Sequence, residues 1–154
     1  MSNLEMTICN VLCAENEEDR EAAMMELKRA MQQHERKTDV DGEIRDLFLE
    51  CGVPDHLNGY EVAVKAVQLV IEDKKILNDI TTGLYPALAT TFNSSISKVE
   101  RAIRNTVTET FLRGNLTRLD QYFGNFINPK SGKVSNGEFV GRMANLVKSR
   151  IRNK

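Results

Sequence analysis

Apolar residues along most of this chain recur at intervals of three and four, the signature of helices with a buried face. Ala63, Ala66, Val67 and Val70 fall at i, i+3, i+4 and i+7, while Tyr60, Val64 and Ile71 cover another side. A helix apolar on more than one side belongs at the centre of a core. Asn58, with Glu61 three residues on, reads as the capping box that opens it. Before it, Ile44, Leu47 and Phe48 make one apolar face, and Gly52-Val53-Pro54 stops that helix. After it, Thr82 is placed to cap a helix through Leu84–Phe92, with Pro86 in the first turn, where a missing N–H costs little. Asn93-Ser94-Ser95 makes a short turn. A further helix follows from Ser97, whose Ser97-Lys98-Val99-Glu100 run has the capping-box pattern, and Gly114 is its expected C-cap. Leu116, Leu119, Tyr122 and Phe123 predict a short helix that Gly124 ends. Residues 125–134, with Pro129 and Gly132, read as a loop. Ser135-Asn136-Gly137-Glu138 is a capping box for a last helix with Phe139, Met143, Leu146 and Val147 inward.

The front of the chain reads differently. Leu4, Met6 and Ile8 alternate with polar residues, which predicts a short strand over 4–12. Residues 16–37 predict a helix with acids at its start, Lys28, Arg29, Arg36 and Lys37 towards its end, and a narrow stripe of Ala23, Leu27, Ala30 and Met31. Thr38-Asp39-Val40-Asp41-Gly42 reads as a linker. The expected organisation is an acidic extension over 1–38 and a helical domain over 39–154. The fold class is all-α: six helices preceded by a short, mainly helical extension.

Composition narrows the function. A chain of 154 residues holds one ordinary domain, and 41% hydrophobic with 28% charged residues is globular rather than disordered. No apolar run approaches the roughly 20 residues that span a bilayer, and Met1-Ser2-Asn3-Leu4-Glu5 lacks the basic start of a signal peptide, so a cytoplasmic protein is expected. Cys9, Cys13 and Cys51 contain no CxxC pair and read as buried or idle thiols. His34 and His56 are the only histidines. No nucleophile–base pair, metal cluster or phosphate loop appears, so no enzyme, no catalytic residue, no metal and no cofactor is expected.

The formal charge of −1 conceals an asymmetry. Residues 1–50 carry 6 Lys/Arg against 13 Asp/Glu, and residues 51–154 carry 15 against 9. A basic back half suits a polyanion partner or a merely solvated surface. The pair of helices around Asn93 favours the first. Two helices joined by three or four residues pack steeply when the contact is small and apolar. Ala89 is the small residue at the contact, Leu88 and Phe92 face the core, Ile96 covers the turn, and Val99, Ala102 and Ile103 face inward. These spacings fit the DNA-binding helix-turn-helix. Asn93 stands where glycine is common, and asparagine tolerates the left-handed conformation. With that face inward, Lys98, Glu100, Arg101, Arg104 and Asn105 point wholly or partly out along a recognition helix over about 97–113. Arg grips guanine O6 and N7 with two hydrogen bonds, and Glu accepts from a cytosine amino group. Glu100 has a competing role, folding back on the Ser97 cap.

Residues from about 39 to 154 resemble the C-terminal effector domain of the stage-zero sporulation protein A family, sporulation regulators of endospore-forming bacteria. The resemblance rests on Gly52-Val53-Pro54-Asp55-His56-Leu57-Asn58-Gly59-Tyr60, Leu84-Tyr85-Pro86-Ala87-Leu88-Ala89, Val99-Glu100-Arg101-Ala102-Ile103-Arg104, Arg113-Gly114-Asn115 and Glu138-Phe139. It implies a six-helix effector domain and recognition of a promoter box in double-stranded DNA. Glu100, Arg101 and Arg104 fall on the base-reading stretch, with Ser95, Ser97, Lys98, Asn105 and Arg113 as backbone or flanking contacts. It also implies a homodimer on DNA through the C-terminal helix, residues 135–151. Family members carry a phosphoacceptor receiver before the effector, and 38 residues cannot hold one, so receiver control is not expected of this stretch. A second function stays open: an interaction protein that modulates a full-length sporulation regulator through mixed dimers without binding DNA itself.

Overall fold

The computed structural model of the protein describes residues 3–153, with the side chain of Thr38 excepted. Met1 and Ser2 of the expected N-terminus and Lys154 of the basic tail therefore lie outside the described residues. These form seven α-helices and no strand: α1 (Asn3–Leu12), α2 (Glu17–Cys51), α3 (Tyr60–Glu72), α4 (Tyr85–Thr91), α5 (Ile96–Arg113), α6 (Leu116–Phe123) and α7 (Asn136–Arg152). Short 3-10 turns at Lys74–Leu77 and Gly124–Phe126 and a π-helical turn at Ile80–Leu84 complete the path. The chain divides into two compact units, Met1–Val40 and Asp41–Lys154.

In the first unit the expected strand is a helix. Alternation at Leu4, Met6 and Ile8 competes with a helical spacing of Leu4, Thr7 and Val11, and the latter marks the less exposed side. Thr7 is buried, its hydroxyl donating to the Asn3 carbonyl oxygen at 2.8 Å. The expected linker over 38–42 is also helical, part of the unbroken α2. One glycine in a helix interior costs only about 1 kcal/mol relative to alanine, too little to break it when side chains support the turn. Asp41 has that support: Arg45 Nε donates to it at 2.9 Å and Gln68 Nε2 at 2.8 Å.

In the second unit, α2 ends where Gly52-Val53-Pro54 predicts. Gly52 takes φ +74°, and the Val53 N–H donates to the Phe48 carbonyl at 2.9 Å, a left-handed C-cap. α3 buries Tyr60, Val62, Ala63, Val64, Ala66, Val67 and Val70, so it occupies the core centre. Its expected opening fails: the N-cap is Gly59, with no side-chain cap, and Asn58 is exposed. Glu61 instead takes both Arg45 Nη donors at 2.8 and 2.9 Å. These bonds to the Arg45 guanidinium hold the Glu61 carboxyl below the usual carboxylate range. A chain of rings joins five helices, from Tyr60 (α3) to Phe48 (α2), Phe139 (α7), Phe123 (α6) and Phe111 (α5), with centroids 5.7–5.9 Å apart. The Ser135–Glu138 capping box is present and opens α7. Phe139, Val140, Met143, Ala144 and Val147 of α7 are wholly buried.

Candidate nucleic-acid interface

The α4–α5 pair is built by local chemistry. Asp79, not Thr82, caps the π-helical turn before α4, its carboxylate accepting from the N–H groups of Thr81 and Thr82. Pro86 sits in the first turn of α4, as its missing N–H allows. α4 closes on a left-handed residue. Asn93 has φ 49°, and the Ser94 N–H donates to the Ala89 carbonyl at 2.9 Å. Ser95, rather than Ser97, caps α5 by accepting from the Lys98 N–H at 3.2 Å, so the cap sits two residues earlier than expected. Leu88 and Ala89 are buried, but Phe92 is 37% and Ile96 43% exposed, so the turn is less covered than expected.

The inner face of α5 is Val99, Ile103, Thr106, Val107, Thr110 and Phe111, all buried, with Ala102 half-buried. The buried hydroxyls of Thr106 and Thr110 donate within the helix, to the carbonyls of Ala102 at 2.9 Å and Thr106 at 2.6 Å. Three contacts fix the helix in place. α3 comes so close that a Cβ on Gly59 would lie 2.2 Å from the Ala102 carbonyl oxygen. Lys133 Nζ of the 127–135 loop donates to Thr108 Oγ1 at 2.7 Å. Asn136 Nδ2, in the first turn of α7, donates to the Tyr85 hydroxyl at 3.0 Å and to the Glu100 carbonyl at 3.3 Å.

The outer face then follows from the helical period. Ser97, Lys98, Arg101, Arg104 and Asn105 are all exposed, and Glu100 is partly so. At 100° per residue, Ser97, Arg101, Arg104 and Asn105 share roughly one quadrant, with Lys98 at its edge and Glu100 on the opposite edge. Glu100 does not fold onto Ser97: its carboxylate takes Arg104 Nη1 at 2.9 Å. Arg113 lies nearly three turns away at the helix end, its Nε 3.3 Å from Glu109. Neither Arg101 nor Lys98 has a carboxylate partner among the described residues. Both line an open groove of about 550 Å³ whose far wall is Asn58 and Gly59, the loop before α3. Asn58, which the sequence assigned to a helix cap, lines this groove instead; its exposure beside Arg101 shows only once α3 and α5 are packed.

The basic end of α7 is committed elsewhere. Arg150 pairs with Glu50 and donates to the Tyr122 hydroxyl at 3.0 Å. Arg142 Nε donates to the Tyr122 carbonyl at 2.9 Å, with its guanidinium 5.8 Å from the Phe126 ring centroid. These contacts hold α7 to α2 and α6, and leave Lys148 and Arg152 as the described basic residues at its end with no such bond. Cys51 is buried, and desolvation pushes its thiol up to about 11. Among the described residues no three His, Cys, Asp or Glu side chains gather to hold a metal, and no helix is long and apolar enough to cross a membrane.

The region carrying this face matches a known family. The family described as Sporulation initiation factor Spo0A C terminal matches over residues 44–147, and the chain belongs to it. It is a family of DNA-binding domains, tied to sporulation and the regulation of transcription.

Proposed function

We propose that this member of the Spo0A C-terminal family is a sequence-specific transcription regulator whose α4 and α5 act as a helix-turn-helix, with α5 in the major groove of a promoter box. The observation that carries this reading is the outward face of α5, where Arg101 and Lys98 stand exposed and without carboxylate partners. An unpaired guanidinium on a rigid helix reaches a guanine edge without first breaking an ion pair. Arg104 starts from a different state. Its exposed i,i+4 pair with Glu100 is worth about 0.3–0.5 kcal/mol, which one bidentate base contact exceeds. In this reading Glu100 releases Arg104 to a guanine and accepts from a cytosine amino group. Ser95, Ser97, Lys98, Asn105 and Arg113 then serve phosphates and flanking positions, and a second copy pairs through α7 on tandem or inverted boxes. The protein acts at the nucleoid in the cytoplasm. Residues 3–40 are helical and supply no receiver sheet, so phosphoacceptor control has no seat among them.

The test is fluorescence anisotropy with a duplex carrying a family-type promoter box and a scrambled duplex, at several salt concentrations. The reading requires preference for the box at every salt, at least several tens-fold at moderate ionic strength. Equal affinity for both duplexes overturns it and favours a protein that acts on a full-length regulator through mixed dimers.

A further inference from the structure

Residues 128–133 close into a small hairpin. The Asn128 N–H donates to the Lys133 carbonyl at 2.9 Å, and the Gly132 N–H donates to the Asn128 carbonyl at 2.8 Å. Inside the turn, Asn128 Oδ1 accepts from the Lys130 N–H at 2.8 Å and the Ser131 N–H at 3.4 Å, and Gly132 takes φ +73°. An asparagine bonded to its own turn and a glycine in the left-handed region fix such a loop by local chemistry. The tip stands in solvent: Pro129, Lys130, Ser131 and Gly132 are exposed, and a Cβ on Gly132 would meet no atom within 4 Å. Between Phe126 and Gly137 the chain carries Lys130 and Lys133 and no acid.

Lys133 ties this hairpin to α5. Its ammonium donates to Thr108 Oγ1 at 2.7 Å, and that hydroxyl donates in turn to the Arg104 carbonyl at 2.8 Å. The anchor is neutral. Lys133 has no carboxylate partner among the described residues, so its charge and the other N–H donors of its ammonium remain for an anion. Position decides which anion. Arg101, Arg104 and Thr108 recur at i, i+3 and i+7, so at 100° per residue Thr108 falls between the two arginines around the helix and about 6 Å beyond Arg104 along it. The ammonium therefore extends the outward row of α5. This helix has 18 residues and spans about 27 Å, while the major groove is about 12 Å wide. A helix whose first half reads bases thus carries its second half out to the phosphates at the groove's edge. There α5 is poorly supplied with charge. After Arg104 its outward row is Asn105, Thr108 and Leu112, and its next cation, Arg113, is paired with Glu109. Lys133 puts a cation where the helix lacks one.

We propose that hairpin 128–133 is a second DNA-contacting element, a wing whose Lys133 ammonium binds a backbone phosphate at the edge of the major groove that α5 occupies. The proposal rests on the reading of α5 given above and adds a contact from outside the helix-turn-helix. A phosphate contact carries no base information; it fixes register and orientation. Because Lys133 reaches the Arg104 carbonyl through Thr108, this contact sets the placement of the base-reading turn.

Fluorescence anisotropy of the full chain on the promoter-box and scrambled duplexes, over a range of salt, tests the proposal. Lys133→Gln should reduce the log–log salt slope by about 0.9 on both duplexes, so that a rise from about 50 to about 200 mM salt weakens it about threefold less than the wild type. The preference for the box should not change, and Lys133→Arg should keep the wild-type slope. Lys133→Met also removes the charge, so whichever neutral variant keeps the wild-type melting temperature carries the test. Replacing single phosphates of the box by methylphosphonates should reveal a position that weakens the wild type and leaves the neutral variant unaffected. An unchanged slope in the neutral variant overturns the proposal and leaves Lys133 as a strut between loop and helix. The absence of any such phosphate overturns it too. A wild type with equal affinity for both duplexes overturns the reading of α5, and the proposal with it.

Discussion

Gly59→Ala tests the packing that aims α5. The backbone at Gly59 has φ −81° and ψ −7°, which alanine adopts without strain. In the unfolded chain the substitution is favourable, by about 0.4–1 kcal/mol from reduced conformational freedom. In the folded chain the new methyl would sit 2.2 Å from the Ala102 carbonyl oxygen and 2.4 Å from Thr106 Oγ1. Carbon–oxygen contacts begin near 3.3 Å, so the start of α3 and the middle of α5 must separate by about 1 Å. The obstacle is backbone and a hydroxyl already bonded to that backbone, so no flexible side chain can swing away. Overpacking of this kind costs about 1–3 kcal/mol, and the net loss should be about 1–2 kcal/mol. For a unit of this size that lowers the melting temperature by roughly 4–10 °C. Gly42→Ala is the matched control: a Cβ there meets nothing within 4 Å, and the residue lies inside α2. It should stabilise by about 0.5–1 kcal/mol. Calorimetry of both variants decides. If Gly59→Ala melts at or above the wild-type temperature, α3 and α5 do not approach as described and the reasoning fails.

Four further outcomes are expected. Arg101→Ala should cost about 1–3 kcal/mol on a cognate box and little on random DNA, measured by anisotropy; an equal loss on both would make Arg101 a phosphate contact. Lys98→Gln should reduce the log–log salt slope of binding by about 0.9 if Lys98 neutralises one phosphate, and Arg113→Gln tests the same for a residue that must first leave Glu109. Cys9 and Cys13 are exposed and should react at once with a thiol reagent at pH 8, while Cys51 reacts slowly in the native state and speeds about tenfold per pH unit towards 11. Because burial raises the Cys51 value above its unfolded one, its contribution to stability is intact below the unfolded value and is lost as pH rises through about 11. Asn136→Ala should destabilise by about 1–2 kcal/mol in denaturant titration, since it leaves the buried Tyr85 hydroxyl without its donor.

Much of the second unit was legible in the sequence because its signals are local or strictly periodic. The Ser135–Glu138 box, the Gly52 stop and the left-handed Asn93 each depend on a few neighbouring residues. The burial of α3 on several sides follows from the number of apolar positions in its period. Other features depend on partners far along the chain. Asn58–Glu61 looks like a cap, but Arg45, 16 residues earlier, claims Glu61. Ser95 and Ser97 are both good caps two residues apart, and packing of the turn selects Ser95. Thr38–Gly42 looks like a linker until Arg45 and Gln68 are seen to hold Asp41. The alternation at Leu4, Met6 and Ile8 is too short to separate a strand from a helix, because a helix of ten residues also offers it by chance. At the interface, the exposure of Arg101 and Arg104 was legible from the helical period. The Glu100–Arg104 pair and the placement of Asn58 across the groove required the packed helices.

Asn136 makes α7 and α5 thermodynamically linked. Its amide spans from the first turn of α7 to the Tyr85 hydroxyl and the Glu100 carbonyl, and the latter belongs to the turn that presents Arg101 and Arg104. A displacement of α7 larger than a hydrogen bond tolerates therefore breaks this tie or drags α5 with it. Linkage is reciprocal, so a partner that grips α7 and shifts it must change affinity at α5 by the same factor that occupancy of α5 changes affinity for the partner. The second unit thus ties α7 to the α5 face through the Asn136 side chain, and double-mutant cycles between Asn136 and Arg104 would measure the coupling as an energy.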